Sequence, residues 1–462
     1  MTVHTQHPRA NRVLILGGGI AGLSAGHELL QRGETDFSIL EAGTAGGLLR
    51  TEQAEGFLLE AGPDSFLTAK GETAALATEL GLADELLSSN DAERRTLILA
   101  HGALHALPSG WQMLGPTRLA PVLRSGLFSA ATRRRFLRDA AWASRPAPTG
   151  DVSVAAFVRH YYGREVAEVV VGPLLAGVYG GDSEQLSLAA VLPRFNALGR
   201  SHSLFHALRG VRSSAPGAVF TTLRGGMGTL AGALAARLGD RLRVGEAVLD
   251  ITRDPHGYTV TTAGGAWSAS QLILAVPACI GAALLRPLDA GLGELLQRIP
   301  YASSAVVSLA YDRAPELPAG FGFLVARGER VAGETVRMLA CTFVHRKFAG
   351  RVPAGRGLLR AFYGGVLDPT VLEESDSALV ARARTELRRT LGMDAAPCLT
   401  RVARWPRSMP QYTVGHLERR QAILAALTRH PGLYLAGNAY DGIGIADAIR
   451  SGRAAARAAS VR

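Results

Sequence analysis

Three glycines near the start of the chain have the spacing Gly17-x-Gly19-x-x-Gly22. Glycine at the first position permits a tight turn, at the second it lets a phosphate approach the backbone, and at the third it lets a helix pack closely on a strand. A helix beginning here would present free N–H groups and partial positive charge to a pyrophosphate. Glu41 follows 24 residues after Gly17, where a carboxylate can accept hydrogen bonds from a ribose diol. Together these residues predict a dinucleotide site.

The same fingerprint serves NAD and FAD, so features outside it have to distinguish the two cofactors. A glycine doublet, Gly46-Gly47, comes soon after Glu41 and is followed by Arg50. Near the end of the chain, residues 433–445 are predicted to form a strand, a glycine-rich turn and the start of a helix. The N-terminus of that helix would stabilise negative charge on a reduced flavin ring. Both features favour FAD, although a plain helix cap also explains the C-terminal segment.

The fingerprint is positioned by a predicted β–α–β unit. Residues 12–16 are a short apolar run typical of a buried parallel strand, a helical pattern continues to residue 32, and residues 37–40 resemble a second strand. Helical periodicity dominates from about residue 86 to 215, and α/β character returns near residue 223. This order predicts an α/β fold with a Rossmann-like FAD-binding domain, a mixed β-rich substrate domain and an inserted helical domain.

The predicted domains are discontinuous in the sequence, because two insertions separate three dinucleotide-binding segments. The β-rich insertion would carry the substrate and the helical insertion would cap it. The expected boundaries are residues 11–85, 216–298 and 405–462 for the FAD-binding domain, 299–404 with parts of 86–110 for the substrate domain, and 110–215 for the helical insertion.

Composition limits the class of protein and its partners. With 462 residues, 47% of them hydrophobic, the chain is long enough for two or three globular domains. The net charge of +11 favours anionic partners, but the arginines are dispersed and no nucleic-acid-binding signature is present, so nucleic acid is not expected. Cys279, Cys341 and Cys398 are too far apart for a zinc site or a disulfide framework. We therefore expect no metal and a reducing compartment, the cytoplasm.

Contact with a membrane surface is an open alternative for the helical insertion. The longest apolar run, residues 272–285, is shorter than a membrane span. Residues 132–138 form a basic amphipathic pattern with Trp111, Phe128 and Trp142 nearby in sequence, which would suit an anionic bilayer. An ordinary solvated helix face explains the same pattern and is slightly favoured. A monomer and a homodimer both stay open.

Several further blocks of the sequence have a recognisable order. They are residues 62–67 (Gly-Pro-Asp-Ser-Phe-Leu), 177–182 (Gly-Val-Tyr-Gly-Gly-Asp), 184–188 (Glu-Gln-Leu-Ser-Leu), 405–416 with its Met-Pro-Gln-Tyr segment, and 437–445. With the fingerprint and the glycine doublet, these blocks resemble the amine-oxidase-like flavoproteins. Within that group the chain is similar to the protoporphyrinogen/coproporphyrinogen oxidases, from about residue 11 to its end.

The resemblance implies which residues bind FAD. Val248 would contact the adenine through its backbone, and Trp405 and residues 442–445 would lie beside the isoalloxazine. Relatives usually carry Lys or Arg directly after the glycine doublet, where this chain has Leu48, and Arg50 would have to compensate. The implied FAD-binding residues are Gly17, Gly18, Gly19, Ile20, Ala21, Gly22, Glu41, Ala42, Gly47, Arg50, Gly62, Pro63, Asp64, Ser65, Val248, Trp405, Gly437, Gly442, Gly444 and Ile445.

The resemblance also implies a substrate site. The family's substrate is a porphyrinogen, a flexible cyclic tetrapyrrole with carboxylate arms. The Gly177 carbonyl would accept pyrrole N–H groups, and Phe321 and Leu324 would form an apolar wall. Phe362 is a candidate for the opposite wall. Lys70 stands where relatives place the cation that binds a propionate.

The implied reaction is the six-electron, O₂-dependent conversion of protoporphyrinogen IX or coproporphyrinogen III to the porphyrin in haem biosynthesis, with H₂O₂ as the second product. Hydride would pass from a meso carbon to N5 of FAD, and no catalytic side chain is assigned. His416 and Asp64 are candidate proton carriers, although structural roles are favoured, and Lys347 is assigned no role. An amine oxidase or carotenoid-desaturase-like flavoenzyme, and a non-catalytic FAD- or tetrapyrrole-binding carrier, are the alternatives.

Overall fold

The computed structural model describes residues 9–141, 148–200, 203–210 and 217–460. Trp142, one of the aromatic residues near the predicted basic helix, lies outside the described residues.

Most strands belong to two seven-stranded sheets. In chain order the strands are β1 Arg9–Leu16, β2 Phe37–Glu41, β3 Thr51–Ala54, β4 Phe57–Glu60, β5 Phe66–Leu67, β6 Leu86–Ser88, β7 Thr96–Ala100, β8 Ala103–Ala106, β9 Trp111–Gln112, β10 Gly115–Pro116, β11 Phe220–Leu223, β12 Leu242–Val244, β13 Val248–Asp254, β14 Gly257–Thr262, β15 Gly265–Leu274, β16 Tyr301–Tyr311, β17 Gly322–Val325, β18 Arg330–Val331, β19 Glu334–Thr335, β20 Ala340–Phe343, β21 Gly357–Gly364, β22 Leu399–Pro410 and β23 Leu433–Leu435.

The helices fall into a cluster between residues 119 and 210 and two groups that cover the sheets. In chain order they are α1 Ile20–Gln31, α2 Glu72–Glu79, α3 Leu119–Arg124, α4 Ala130–Ala141, α5 Val154–Tyr162, α6 Arg164–Val166, α7 Gly172–Tyr179, α8 Leu188–Val191, α9 Pro193–Asn196, α10 Leu204–Gly210, α11 Gly228–Leu238, α12 Ala278–Leu285, α13 Ala290–Gln297, α14 Val344–Lys347, α15 Asp376–Leu391, α16 His416–Leu427 and α17 Ile445–Ser460. A π-helical turn, Ala167–Val171, joins α6 to α7.

The first sheet has the order β12-β2-β1-β15-β14-β13, with β23 beside the C-terminal part of β15. Strands β12, β2, β1, β15 and β23 are parallel, and β13 and β14 are antiparallel additions. Side chains alternate between the two faces of β1, so Val13 and Ile15 pack with α1, α11 and α17, whereas Leu14 and Leu16 pack with α12, α13 and α16. All four are fully buried, which explains the continuous apolar run.

The second sheet has the order β22-β16-β21-β20-β17-β7-β8 and is antiparallel except between β7 and β17. One face packs on α15. Strand β22 runs through the expected domain boundary at residue 405, because it stays paired with β16 as far as Pro410. The expected helical character between residues 86 and 116 is wrong, because the buried run Leu97–Ala100 pairs with β17 and brings β7 and β8 into this sheet.

The helical cluster packs around an apolar core that also includes Ile98, Ala100, Ala326 and Tyr412, and backbone hydrogen bonds join it further to the rest of the molecule. The Gly180 carbonyl accepts a hydrogen bond from the Val366 N–H at 2.8 Å, and the Ser187 N–H donates to the Tyr412 carbonyl at 2.8 Å. Among the residues that the structure describes, no helix is long and apolar enough to cross a membrane. The predicted α/β class, with a Rossmann-like sheet, a second β-rich sheet and a helical insertion, is confirmed.

Candidate functional site

The glycine turn between β1 and α1 contains glycines with no space for a side chain and one glycine that faces open space. Gly17 has φ +105°, and a Cβ there would lie 2.6 Å from the Ala275 carbonyl oxygen. A Cβ at Gly22 would lie 1.9 Å from the Gly17 carbonyl oxygen, so no side chain fits between helix and strand. A Cβ at Gly19, by contrast, would meet nothing within 4 Å. The turn is therefore rigid, with space in front of Gly19 for a pyrophosphate at the helix N-terminus.

Glu41 ends β2 beside this turn. Its carboxylate accepts hydrogen bonds from the Gly18 N–H at 2.6 Å and the Gly43 N–H at 2.8 Å. These bonds fix the carboxylate while leaving lone pairs for a ribose diol. Ala42 is exposed next to it, and the Glu41 carbonyl accepts a hydrogen bond from the Glu246 N–H at 2.9 Å. That last bond brings the start of β13 at Val248 to the same end of the sheet.

The glycine doublet packs on the fingerprint. The Gly46 N–H donates to the Gly18 carbonyl at 2.8 Å, and a Cβ at Gly47 would lie 3.2 Å from the Gly19 Cα. A Cβ at Gly62 would lie 2.1 Å from the Leu48 carbonyl oxygen. The three glycine segments therefore form one continuous backbone surface from the helix N-terminus to residue 62. Within α1, Ala21 is buried and Ile20 half-buried, so both support the turn from behind.

Arg50 lies at the far end of this backbone surface, beside Trp405. Its guanidinium carbon is 5.3 Å from the centre of the Trp405 ring, and the Trp405 indole N–H donates to the Ala61 carbonyl at 2.7 Å. Leu48 is half-buried and presents its carbonyl to Gly62. Arg50 is exposed, and its role in place of the cation expected after the doublet stays a prediction.

The loop of residues 62–65 is held by cations from the second sheet. Lys347 Nζ lies 2.9 Å and 3.1 Å from the two Asp64 carboxylate oxygens and 3.1 Å from Ser65 Oγ. Arg360 donates to the Gly62 carbonyl. Burial alone would raise the pKa of the Asp64 carboxyl, but Lys347 and Arg360 hold that pKa well below its usual range. Asp64 therefore stays a carboxylate and is unsuited to carry a proton.

A second buried ion pair lies directly behind this loop. Arg351 donates to Glu60 Oε1 at 3.0 Å, to the Leu223 carbonyl at 3.0 Å and to Thr222 Oγ1. Glu60 also accepts from the Met227 N–H at 2.8 Å. Burial raises the pKa of Glu60 although Arg351 opposes the shift. Both side chains are almost inaccessible, so the pair ties the end of β4 to the segment between α14 and β21 out of contact with water.

The C-terminal turn approaches the same region from the other side. Gly437 has open space at its Cβ position, whereas a Cβ at Gly442 would lie 2.4 Å from the Asp447 carboxyl carbon. Asp447 accepts a hydrogen bond from the Gly444 N–H at 3.2 Å, an N-terminal cap of the helix that begins at Ile445. The turn therefore presents a second helix N-terminus next to an accessible backbone position.

Tyr412 fixes this turn. Its hydroxyl accepts from the Gly442 N–H at 2.7 Å and donates to the Asn438 carbonyl at 2.7 Å, which ties the two halves of the turn together. The ring stacks on His416 with a centroid distance of 3.8 Å, and His416 bonds to the Tyr440 carbonyl. Burial lowers the pKa of His416, so its imidazole is neutral and structural.

We expect Tyr412→Phe to weaken FAD binding by roughly tenfold, because the half-buried Gly442 N–H and Asn438 carbonyl of the turn lose the hydroxyl that joins them. The change is measured by titrating apoprotein with FAD and following flavin fluorescence. Tyr434→Phe is the matched control, since its hydroxyl bonds to Gln271 and the Ala458 carbonyl, away from the turn. Equal affinities for the Tyr412 variant and the unmodified protein would contradict the role.

Two of the three apolar residues predicted to form the substrate walls, Leu324 and Phe362, share one face of the second sheet. Leu324 pairs with Ala340, and Ala340 pairs with Phe362 on the next strand. Paired residues point the same way, and Arg360, two residues before Phe362, points to that face as well. Because Arg360 contacts Gly62, this face is directed at the loop of residues 62–65. The structure therefore brings Leu324 and Phe362 to the side of the sheet that faces the FAD-binding domain.

Gly177 lies on the last turn of α7, where helix carbonyls lack intrahelical donors. A Cβ at Gly177 would lie 3.0 Å from Leu324 Cδ2, so the two predicted substrate residues are in contact. The neighbouring Ala176 carbonyl accepts from the Gly180 N–H, whereas no donor to the Gly177 carbonyl is found in the described part of the chain. An exposed carbonyl at the negative end of a helix dipole is a suitable acceptor for a pyrrole N–H.

Phe321 and Lys70 do not lie on this face of the second sheet. Phe321 precedes β17, half-buried, with its backbone bonded to Arg95 and Phe343. Lys70 forms an ion pair with the buried Asp447 of the C-terminal turn. The Lys70 side chain is 42% exposed, so its ammonium can still reach a carboxylate arm from the solvent side.

A cleft of about 640 Å³ opens between α7 and the second sheet. Its apolar walls include Pro173, Ala176, Val325 and Met338. Val325 points to the face of β17 opposite to Leu324, so this cleft lies behind the predicted substrate wall. We assign it no role in the oxidation.

Sequence reasoning missed four residues that organise the site: Lys347, Arg351, Arg360 and Tyr412. Lys347 seemed to belong to a polar stretch, yet it is 9% exposed and bonded to Asp64. The signal that could have identified Lys347 is the scarcity of lysine, since Lys70 and Lys347 are the two lysines of the sequence. The arginines gave no signal, because dozens of others lie on the surface.

Comparison with known proteins identifies the family to which the chain belongs. The profile of the family described as "Flavin containing amine oxidoreductase" matches residues 20–460. The chain belongs to this family. The flavin-containing amine oxidoreductases of known sequence that it resembles include a coproporphyrinogen III oxidase of Bacillus subtilis (strain 168), which is 31% identical with 96% of each chain covered. A coproporphyrinogen III oxidase of Mycobacterium leprae (strain TN) is 34% identical, with 95% of this chain and 96% of that protein covered.

Solved structures of flavin-containing amine oxidoreductases show the same architecture. A protein of Exiguobacterium sp. 255-15, provisionally named a protoporphyrinogen oxidase, has a TM-score of 0.87 at 31% identity, covering 97% of this chain and 98% of its own. A putrescine oxidase double mutant has a TM-score of 0.70 at 19% identity, which shows a shared fold only.

The family's flavin fits the residues present, and the chain is an FAD-dependent oxidoreductase. The glycine segments and the C-terminal turn form a cradle for the cofactor. This cradle has open space where a Cβ at Gly19 or Gly437 would extend, and it has no space for a side chain where the other glycines pack against protein atoms. Glu41 and the start of β13 occupy one end, and Arg50, Trp405 and residues 62–65 occupy the other. This order matches a dinucleotide that extends from the first sheet toward the second.

Proposed function

We propose that the chain oxidises a porphyrinogen, coproporphyrinogen III in preference to protoporphyrinogen IX, to the porphyrin of haem biosynthesis. The observation that carries the proposal is that Leu324, in contact with Gly177, and Phe362 lie on the face of the second sheet that is directed at the loop of residues 62–65. The names of relatives support the substrate, since those of Bacillus subtilis, Propionibacterium freudenreichii and Mycobacterium leprae are coproporphyrinogen III oxidases, whereas one of Spinacia oleracea, 30% identical, is protoporphyrinogen oxidase 1.

The residues of this chain contribute positioning and electrostatics, with no side chain acting as nucleophile or metal ligand. Leu324 and Phe362 exclude water from an apolar macrocycle, and the Gly177 carbonyl orients it through pyrrole N–H groups. Bound FAD supplies a two-electron acceptor that O₂ regenerates with release of H₂O₂. Removal of six electrons therefore requires three passes and consumes three O₂. The helix N-terminus at Ile445 favours negative charge that develops on the cofactor side.

Lys70 is proposed to bind a carboxylate arm of the substrate. We expect Lys70→Ala to raise KM for the porphyrinogen roughly tenfold while kcat changes little, because the contact is made equally in ground and transition states. FAD content should be retained, because Asp447 keeps its bonds to Arg450 and the Gly444 N–H. Steady-state kinetics with Lys70→Arg as the charge-preserving control measure this, and an unchanged KM in Lys70→Ala would exclude the role.

Contact with an anionic membrane is proposed for α4 as a secondary property. Arg134, Arg135 and Arg138 are exposed on this helix, with Leu137 44% exposed between them. Such a surface suits anionic headgroups. A helix face that is only exposed to solvent is the alternative, because it would have the same composition. Sedimentation with vesicles of anionic and of zwitterionic lipid distinguishes them, since binding to anionic vesicles alone supports contact and no binding rejects it.

The proposed function is tested by giving air-equilibrated, FAD-loaded protein equal concentrations of coproporphyrinogen III and protoporphyrinogen IX in separate reactions. Porphyrin fluorescence and H₂O₂ are followed together. We expect three H₂O₂ per porphyrin and faster turnover of coproporphyrinogen III. A faster reaction with protoporphyrinogen IX would reverse the substrate preference, and no porphyrin above the FAD-free control would reject the function.

A further inference from the structure

Lys347 is a buried lysine without a role in the reaction described above. It ends the short helix α14, and its ammonium lies 4.7 Å from the centre of the Phe220 ring. All three of its potential hydrogen bonds are directed at the loop of residues 62–65, two to Asp64 and one to Ser65. A lysine is rarely buried unless it is paired, so its position in the fold has a specific cause.

Arg360 approaches the same loop from strand β21. Its side chain is 2% exposed, donates to the Gly62 carbonyl and lies 3.4 Å from Asp64 Oδ2. The guanidinium carbon is also 5.1 Å from the centre of the Phe362 ring, which belongs to the predicted substrate wall. Arg360 therefore contacts both the loop of residues 62–65 and Phe362 of the predicted substrate wall.

The buried charges in this cluster do not cancel. Lys347, Arg351 and Arg360 supply three positive charges, and Glu60 and Asp64 supply two negative charges. One positive charge remains, in surroundings where water screens poorly and Coulomb interactions are stronger than at the surface. Hydride uptake places negative charge on a flavin, so a nearby net positive charge favours the reduced form.

We propose that Lys347 is a positioning residue for FAD, which with Arg360 fixes the loop of residues 62–65 through Asp64, and that the net positive charge of this cluster raises the reduction potential of the bound flavin. The inference rests on FAD binding and is independent of which substrate the enzyme oxidises. The competing explanation is that the ion pairs only hold the loop of residues 62–65 to α14 and β21, without an effect of their charge on the flavin.

The test compares midpoint potentials of FAD-loaded proteins, measured anaerobically by equilibration with a reference dye. Lys347→Met removes one positive charge and should lower the potential. Asp64→Asn removes one negative charge and should raise it. The double variant Asp64→Asn/Lys347→Met restores the original net charge without the ion pair, so its potential should return close to that of the unmodified protein.

Two results would overturn the proposal. An unchanged potential in Lys347→Met would show that the charge does not reach the flavin. A double variant as low as Lys347→Met would show that loop displacement, and not charge, causes the shift. If Lys347→Met fails to retain FAD, Asp64→Asn and the double variant still test the proposal. A midpoint potential that does not rise in Asp64→Asn would reject the electrostatic role.

These measurements need no porphyrinogen, which separates this inference from the proposed function. The predicted potential shifts combined with absent porphyrin formation would support the role of Lys347 and reject the substrate. Porphyrin formation combined with unshifted potentials would do the reverse.

Discussion

Gly19→Val is expected to yield a folded protein that contains essentially no FAD. A Cβ at Gly19 meets no protein atom within 4 Å, so the substitution leaves the fold intact. The same direction is where the fingerprint requires the pyrophosphate to approach the backbone, so a valine side chain would displace it. The loss should exceed a hundredfold in affinity, because a steric overlap at a rigid turn cannot relax. FAD content after purification, circular dichroism and thermal unfolding measure it.

Gly232→Val is the matched control for this prediction. Gly232 is exposed on α11, and a Cβ there also meets nothing within 4 Å, but it lies away from the glycine turn. It should retain full FAD content. A yellow, FAD-saturated Gly19→Val protein would contradict the assignment of the cradle, whereas an unfolded one would show that Gly19 is structural.

Arg351→Met is expected to give the largest loss of stability among single substitutions in the charged cluster. The substitution leaves the Glu60 carboxyl, which is 4% exposed, without its cation. Removing one partner of a buried ion pair costs about 3–5 kcal/mol. Thermal unfolding at a fixed FAD concentration should show a fall of several degrees in Tm.

The control for Arg351→Met is Arg356→Met in the same segment. Arg356 pairs with Asp312, which is largely exposed, and such surface pairs contribute about 0–1 kcal/mol. Its Tm should be almost unchanged. The double variant Glu60→Gln/Arg351→Met should recover part of the loss, since no charged group then lacks a partner. Equal Tm values for Arg351→Met and Arg356→Met would show that the buried pair contributes little.

The sequence predicted those parts of the site that are local in the chain. The strand, turn and helix around Gly17–Gly22 and the carboxylate of Glu41 are specified within about 30 residues, so spacing alone identified them. The family and its FAD, implied by resemblance, are confirmed by the comparisons. The individual substrate residues stay predictions, although Gly177 and Leu324 are in contact.

The parts that could not be predicted depend on the register of distant strands. Lys347 meets Asp64 across 283 residues of sequence, and Arg360 meets Gly62 across 298. Neither separation has a periodicity that a single sequence reveals. Strand β22 illustrates the same limit, because its pairing with β16 carries it past the expected domain boundary at residue 405.

In the proposed reaction, FAD accepts electrons directly from a porphyrinogen. This transfer is tested by mixing FAD-loaded protein with coproporphyrinogen III without oxygen and following the flavin absorbance, with the FAD-free Gly19→Val protein as the control for spontaneous oxidation. We expect the flavin absorbance to bleach on mixing and to recover, with porphyrin fluorescence, when O₂ is admitted. Flavin that stays oxidised in the presence of saturating coproporphyrinogen III and of protoporphyrinogen IX would contradict it.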